Sequence, residues 1–232
     1  MVIFLLLVSV AASGQSLRDL SSTTPLPPNN TLVIGILGGI EHWNDPNRGI
    51  RKLTLKLRQT PGVSAESIEN RRVGTALRFI EKSLDTNGDR VLSTDERRQA
   101  RIILYGQSLG GQAILRLARA LNKRRIPVLL TVQVDSVGRT DHIIPSNVRA
   151  AANFYQHELL TVWGETKIRA ADPQKTTILE NRQFHYPPLL SDAPKPDTWV
   201  RRRFGGGHAR MEADPIVWKE VESYIRQALK TK

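Results

Sequence analysis

The chain contains no cysteine. That absence excludes disulfides, zinc–thiolate sites and cysteine nucleophiles together, so any chemistry must come from hydroxyl, imidazole or carboxylate groups. Aromatic residues are also scarce, at 6% of 232 residues, which counts against a surface built to stack nucleobases. Acidic residues are outnumbered 22 to 34, giving a formal charge of +12. The excess lies in small clusters: Arg51, Lys52, Lys56 and Arg58; Arg97, Arg98 and Arg101; Lys123, Arg124 and Arg125; and Arg201, Arg202 and Arg203. Nucleic acid is therefore the first partner to weigh. No recognised nucleic-acid motif accompanies the clusters, and most sit at helix ends or on solvated helix faces. The expectation is no nucleic-acid partner and a basic surface open to electrostatic attraction by an anionic envelope.

A long hydrophobic run is missing as well. The longest apolar stretch, Val2 to Val10 in MVIFLLLVSVAASGQS, is too short to span a bilayer, so no transmembrane helix is expected in the mature protein. Its shape, with Ala12 and Gly14 preceding Gln15, is that of a signal peptide over residues 1–14, although no Lys or Arg precedes it. The alternative is a buried N-terminal strand. No cysteine follows the run, so a bacterial lipid anchor is excluded, and the expected location is secreted or periplasmic.

What is present suffices for one large core, since 40% of the chain is hydrophobic. Residues 15–30, with SSTTPLPPNN, read as a flexible tether, and 31–232 as a single domain. Thr31 to Leu37 (TLVIGIL) is a continuous β-branched run suited to a strand buried on both faces. Asp45 and Pro46 offer a start for a helix to Arg58. A short strand is expected over Val63–Ile68, and an amphipathic helix over Arg71–Leu84. Strands at Arg101–Tyr105 and Pro127–Val134 flank a helical stripe of Ile114, Leu117, Ala118 and Leu121. This alternation predicts an α/β fold with a mostly parallel sheet and right-handed crossovers. Farther on, the sequence predicts a helix over Ser146–His157, one or two strands over Leu159–Tyr186, a loop over Tyr186–Gly207, and a last helix from Asp214 and Pro215.

Within YGQSLGG, Gly106-x-Ser108-x-Gly110 stands between a β-branched strand and a helical stripe. A serine presented on a tight strand-to-helix turn needs small neighbours two before and two after it. The helix behind it supplies a backbone N–H, that of Leu109, to an oxyanion. This turn resembles the nucleophile elbow of the α/β-hydrolase superfamily. The resemblance implies an α/β-hydrolase fold of small size with helices on both faces of the sheet. It also implies a serine hydrolase whose triad runs Ser, then Asp or Glu, then His.

On that resemblance the acid belongs at the end of a later strand. VQVDSVG places Asp135 there, an arrangement similar to lipases whose acid follows the strand after the nucleophile helix; Asp141 and Asp172 are reserves. Of five histidines, His208 in FGGGHARMEADPIVW stands where the superfamily carries its base, with His185 as rival. His142 and His157 read as surface or packing residues. The second oxyanion donor should follow the first strand, as the N–H of Gly39 or Ile40, with His42 and Trp43 as candidate pocket walls. No cofactor is expected for catalysis.

DTNGDRVLSTDE, residues 85–96, resembles the twelve-position calcium loop of EF-hands. The resemblance makes Asp85, Asn87, Asp89, the Val91 carbonyl, Ser93 and Glu96 the ligands of a structural Ca2+ ion. The sixth position, normally glycine, is Arg90, which costs about 1 kcal/mol in a positive-φ turn. A solvated acidic turn is the alternative. The whole reads as an exported carboxylic ester hydrolase, with a catalytically silent, calcium-stabilised binding protein of the envelope as the rival. No long apolar lid is evident between Asp135 and His208, which favours short or soluble acyl chains.

Overall fold

A computed structural model of the chain describes residues 14–158, 164–186 and 206–231. Six strands form one sheet in the order β2-β1-β3-β4-β6-β8, and every neighbouring pair in it is parallel. They are β1 (Thr31–Leu37), β2 (Val63–Glu69), β3 (Ile102–Gln107), β4 (Val128–Val134), β6 (Val148–Tyr155) and β8 (Thr177–Gln183). Two short strands, β5 (Ile143–Ile144) and β7 (Arg169–Ala170), pair apart from it. All seven residues of β1 are buried, as a parallel strand covered on both faces requires.

Helices cover both faces because alternate strand residues point to opposite sides. Val33, Leu37, Ile103, Tyr105, Leu130 and Val132 pack with Ile50, Leu53 and Leu57 of α1 (Gly49–Leu57) and with Val217, Val221 and Ile225 of α6 (Pro215–Lys230). Leu32, Ile34, Ile36, Ile102 and Leu104 meet Ala76, Phe79 and Ile80 of α2 (Val73–Leu84) on the other face. Ile114, Leu117 and Leu121 of α4 (Leu109–Lys123) complete that layer. Each aliphatic side chain buried this way contributes about 1.5–3 kcal/mol relative to exposure. None of the helices among the described residues is long and apolar enough to cross a membrane.

The chain runs from β1 outward to β2 and then returns to the other side of β1 as β3. The strand order therefore reverses between β1 and β3, and in open α/β sheets that reversal opens a crevice at the carboxyl ends of the strands. Register aligns those ends. Ile36 pairs with Gly106, Gln107 with Val134, and Val134 with Phe154. Gly38, Ser108, Asp135 and Gln156 consequently emerge along one edge of the sheet.

Several expectations are corrected. The segment 146–157 holds strand β6 (Val148–Tyr155), not a helix. Its AAANFY favours helix locally, but Ala151, Ala152 and Phe154 are completely buried between β4 and β8, and tertiary context overrides propensity. Helix α1 begins at Gly49 rather than Asp45, because Asp45 turns back onto Arg48 Nε at 2.8 Å and the Asn47 N–H at 2.9 Å. Residues 15–30 are not a free tether. Gln15 is 2% exposed; it donates to Ser67 O and accepts from the Glu69 N–H at 2.8 and 3.1 Å. Ser21 and Ser22 bond the buried Glu66 carboxylate. Residues 1–13 and 187–205, which hold the apolar leader and most of the loop expected before His208, lie outside the described residues.

Candidate active site

Ser108 is the residue between β3 and α4, and its φ of 56° is in the left-handed region. A non-glycine residue rarely adopts this backbone unless the surroundings enforce it. The flanking glycines permit it. A Cβ on Gly106 would stand 2.3 Å from the Gly110 carbonyl oxygen, and one on Gly110 would stand 2.0 Å from that of Ile36. The strand and helix can close on each other only where both lack side chains. Ser108 N–H donates to Val134 O at 3.0 Å, which ties the turn to the end of the neighbouring strand.

Asp135 follows β4 with φ 45° and is completely buried. Four donors surround its carboxylate. Oδ1 accepts from the backbone N–H of Gly164 at 2.8 Å and of Gln156 at 3.2 Å; Oδ2 accepts from Gln156 Nε2 at 2.9 Å and His208 Nδ1 at 2.6 Å. A buried carboxylate so supplied has its hydrogen-bonding capacity met and is fixed in orientation.

His208 lies in the first turn of α5 (Gly206–Ala213), a short helix between the expected loop and α6 that the sequence does not announce. Because a carboxylate can only accept, Nδ1 carries the imidazole proton and Nε2 presents its lone pair. Ser108 Oγ stands 3.0 Å from that nitrogen. The structure thus brings together Ser108, His208 and Asp135 from three separate elements. His208 is 19% exposed at its side chain, so the serine–imidazole pair opens to solvent while the acid does not.

The reserve residues are not in this arrangement. Asp141 is buried, but its Oδ2 accepts from Ser136 Oγ at 2.6 Å, and burial raises its pKa above the usual carboxylate range. Asp172 is a surface turn residue bonded to Lys175 and to the Gln174 N–H, contacts that lower its pKa. His185 is exposed. His42 pairs with Glu69 at 3.5 Å, and Trp43 lies under the Arg51 guanidinium with its carbonyl on Ser67. Both therefore engage the β2 side and do not wall the serine.

The loop after β1 does approach the serine. A Cβ on Gly38 would be 2.5 Å from Gln107 Oε1 and 2.9 Å from Ser108 Cβ. The Gly38 N–H is engaged by Glu41 Oε2 at 3.2 Å. Gly39 turns with φ 45°, and the Ile40 side chain is 83% exposed, which leaves the N–H groups of Gly39 and Ile40 as candidate partners for that of Leu109. Burial and the neighbouring Glu212 carboxylate push Glu41 up to about 7 against the pull of Arg48.

Gln107 was missed. Its side chain is 2% exposed, and Nε2 lies 3.4 Å from His208 Nε2. The only available signal was its place beside the serine in the motif. Which way that position points is set by the strained turn and not by residue type.

The loop over 85–96 lies between α2 and the one-turn helix α3 (Thr94–Arg98). Arg90 adopts φ 67°, the conformation that the sixth position of such a loop demands. The Arg90 N–H donates to Asp85 Oδ2, the Asp89 N–H to Asn87 Oδ1 and the Val91 N–H to Asp89 Oδ1. Glu96 instead faces the loop's own backbone, accepting from Thr86 and Ser93. The carboxylates of Asp85, Asp89 and Glu96 do not converge within 4.8 Å.

No protein-family model and no curated protein matches the chain. Among solved structures, it is similar to the crystal structure of a dienelactone hydrolase-like promiscuous phosphotriesterase from metagenomic libraries. The TM-score is 0.40 and the identity 10%, over 90% of this chain and 87% of that one. A likeness this distant assigns no role to any residue here.

Proposed function

We propose that the protein is an exported serine hydrolase acting on carboxylic esters through an acyl-enzyme. The observation that carries this reading is His208 bridging Ser108 Oγ at 3.0 Å and the buried Asp135 carboxylate at 2.6 Å. Ser108 Oγ attacks the acyl carbon as His208 Nε2 takes its proton. The same nitrogen then protonates the departing alcohol, and a water activated by His208 releases the acid. Asp135 holds the imidazole in the Nδ1–H tautomer and stabilises its cation. The Leu109 N–H, with that of Gly39 or Ile40, receives the tetrahedral oxyanion.

A structural Ca2+ is part of the proposal. The ligand types at Asp85, Asn87, Asp89, Val91 and Ser93 and the positive φ at Arg90 fit it, and Glu96 would have to turn from Thr86 and Ser93 to complete the set. Beside this loop a cleft is lined by Arg78, Lys82, Arg90, Arg97, Lys123, Arg124 and Arg125 against Glu81 and Asp85. Such a cleft suits electrostatic attraction to an anionic envelope.

The test is a fluorophosphonate probe on folded, calcium-loaded protein, with the adduct located by peptide mass spectrometry. Modification confined to Ser108 and absent in Ser108→Ala is expected. A folded sample that takes no label would overturn the hydrolase reading and favour a silent binding protein of the same fold.

A further inference from the structure

The α4 face of the sheet is polar where it passes under the loop that follows Asp135. β4 and β6 present Thr131, Gln133 and Asn153 there, all completely buried, with Gln133 and Asn153 as register partners. Each carboxamide donates to a loop carbonyl: Gln133 Nε2 to Asp141 O at 2.9 Å and Asn153 Nδ2 to Glu165 O at 2.7 Å. Their oxygens have no partner. Thr131 Oγ1, Gln133 Oε1, Asn153 Oδ1 and Asp141 Oδ1 are all buried and unsatisfied. Thr131, Gln133 and Asn153 share one face of the sheet and Asp141 lies on the loop against it; buried side-chain oxygens without partners are exceptions in native interiors.

The same loops carry metal-ligating groups. Ligand atoms of Asp141, His142 and Glu165 lie within 4.8 Å of one another, and this is the only such trio among the described residues. His142 Nδ1 is 3.7 Å from Glu165 Oε2. No arginine or lysine among the described residues pairs with either carboxylate. The nearby Arg119 donates instead to the carbonyls of Thr140 and Ile143. Two carboxylates and an imidazole, with no arginine or lysine in direct contact among the described residues, form a donor set for a cation.

We propose that Asp141, His142 and Glu165 bind a borderline divalent cation, with Zn2+ the leading candidate, on the two loops whose carbonyls the Gln133 and Asn153 carboxamides hold. Zinc takes one imidazole and two carboxylates readily, with water completing four positions. Calcium demands six to eight oxygens and gains little from imidazole, which separates this site from the loop over 85–96. The ion would act on the triad through the backbone. Glu165 N–H donates to Ser136 O at 2.7 Å, and the preceding Gly164 N–H donates to Asp135 Oδ1 at 2.8 Å. Joining Asp141 and His142 to Glu165 therefore clasps the two segments that orient the buried acid. These are positioning residues, and the site does not depend on the hydrolase reading.

Metal-stripped full-length protein, kept in calcium to satisfy the other loop, is titrated with zinc against a chromophoric chelator, and bound zinc is counted after gel filtration. One equivalent is expected. His142→Ala, a partly exposed change that should leave the core intact, and Glu165→Gln are each expected to weaken binding by at least about 100-fold, since loss of even an outer-shell partner typically costs 10–100-fold. Zinc should raise the melting temperature of the wild type and of Asp85→Asn, but not of the two ligand variants. His208→Ala should retain the ion, which separates this site from adventitious binding at the serine. A folded wild type that binds no zinc, or wild-type affinity in either ligand variant, would overturn the assignment.

Discussion

Asp135 and Asp141 sit six residues apart on one loop, and both are completely buried. Asp135 receives four donors and leaves no lone pair wanting. Asp141 receives Ser136 on one oxygen and nothing on the other. Burial therefore does not define the role of a carboxylate; the partners of its oxygens do. Fully supplied, Asp135 is fixed in orientation against the His208 ring. Half supplied, Asp141 has its pKa raised by burial and can gain stabilisation from a proton or a cation.

The largest expected effect tests that contrast directly. Asp135→Asn should lower turnover, and the rate of fluorophosphonate labelling, by about 10^4-fold, because the amide favours the wrong imidazole tautomer while the fold persists. Asp141→Asn should lower turnover by no more than about 10–100-fold, the range of an outer-shell change, while abolishing zinc retention. Comparable losses in the two variants would break the comparison, and the acid would have to be reassigned.

A third carboxylate sharpens it. Glu41 bonds the Gly38 N–H beside the serine, is 13% exposed at its side chain, and titrates at about 7 against an ordinary value of 4.5. An acid whose pKa is raised by folding stabilises the fold in its protonated form, so its contribution is complete below pH 4.5 and is lost as pH rises through about 7. Glu41→Gln keeps an acceptor for Gly38 and cannot ionise. Urea unfolding should show the variant gaining on the wild type by about 3 kcal/mol between pH 4.5 and pH 8. A difference that stays flat with pH would show that Arg48 neutralises Glu41 after all.

Much of this was legible because strand ends are legible. The β-branched runs ending at Leu37, Tyr105 and Val134 locate Gly38, Ser108 and Asp135 on one edge once the sheet is parallel, although β3 runs two residues farther, to Gln107, and the histidine before the last helix completes the trio. Strand β6 was not legible. A strand buried on both faces has no alternation to read, and three alanines in VRAAANFY favour helix. The lead-in was misread for a related reason. Its Pro- and Ser-rich composition suits a linker, yet what fixes it is Glu66, a buried charge some 45 residues away in sequence. The donors on Asp135 were invisible for the same cause, since Gln156 and Gly164 come from other parts of the chain.

The smallest effects are expected in the loop over 85–96, where Glu96 completes the series. Like Asp135, it accepts four donors, from Thr86 N and Oγ1 and from Ser93 N and Oγ. Unlike Asp135, it is only half-buried, and the Ser93 N–H leads the contacts that pull it down to about 2. A depressed acid stabilises the fold above its unfolded value of 4.5 and loses that contribution as pH falls through about 2. Local opening of the loop on acidification, followed by exchange of the Thr86 and Ser93 amides, should therefore begin only below pH 4.5. Arg90 tests the backbone of the same turn. Its exposed side chain sits at φ 67°, so Arg90→Gly relieves about 1 kcal/mol of conformational strain and adds nearly as much unfolded-chain entropy. Net stability should change by no more than about 0.5 kcal/mol in urea unfolding. A loss well beyond that would mean that the guanidinium holds the basic cleft together and that the turn is not where this residue acts.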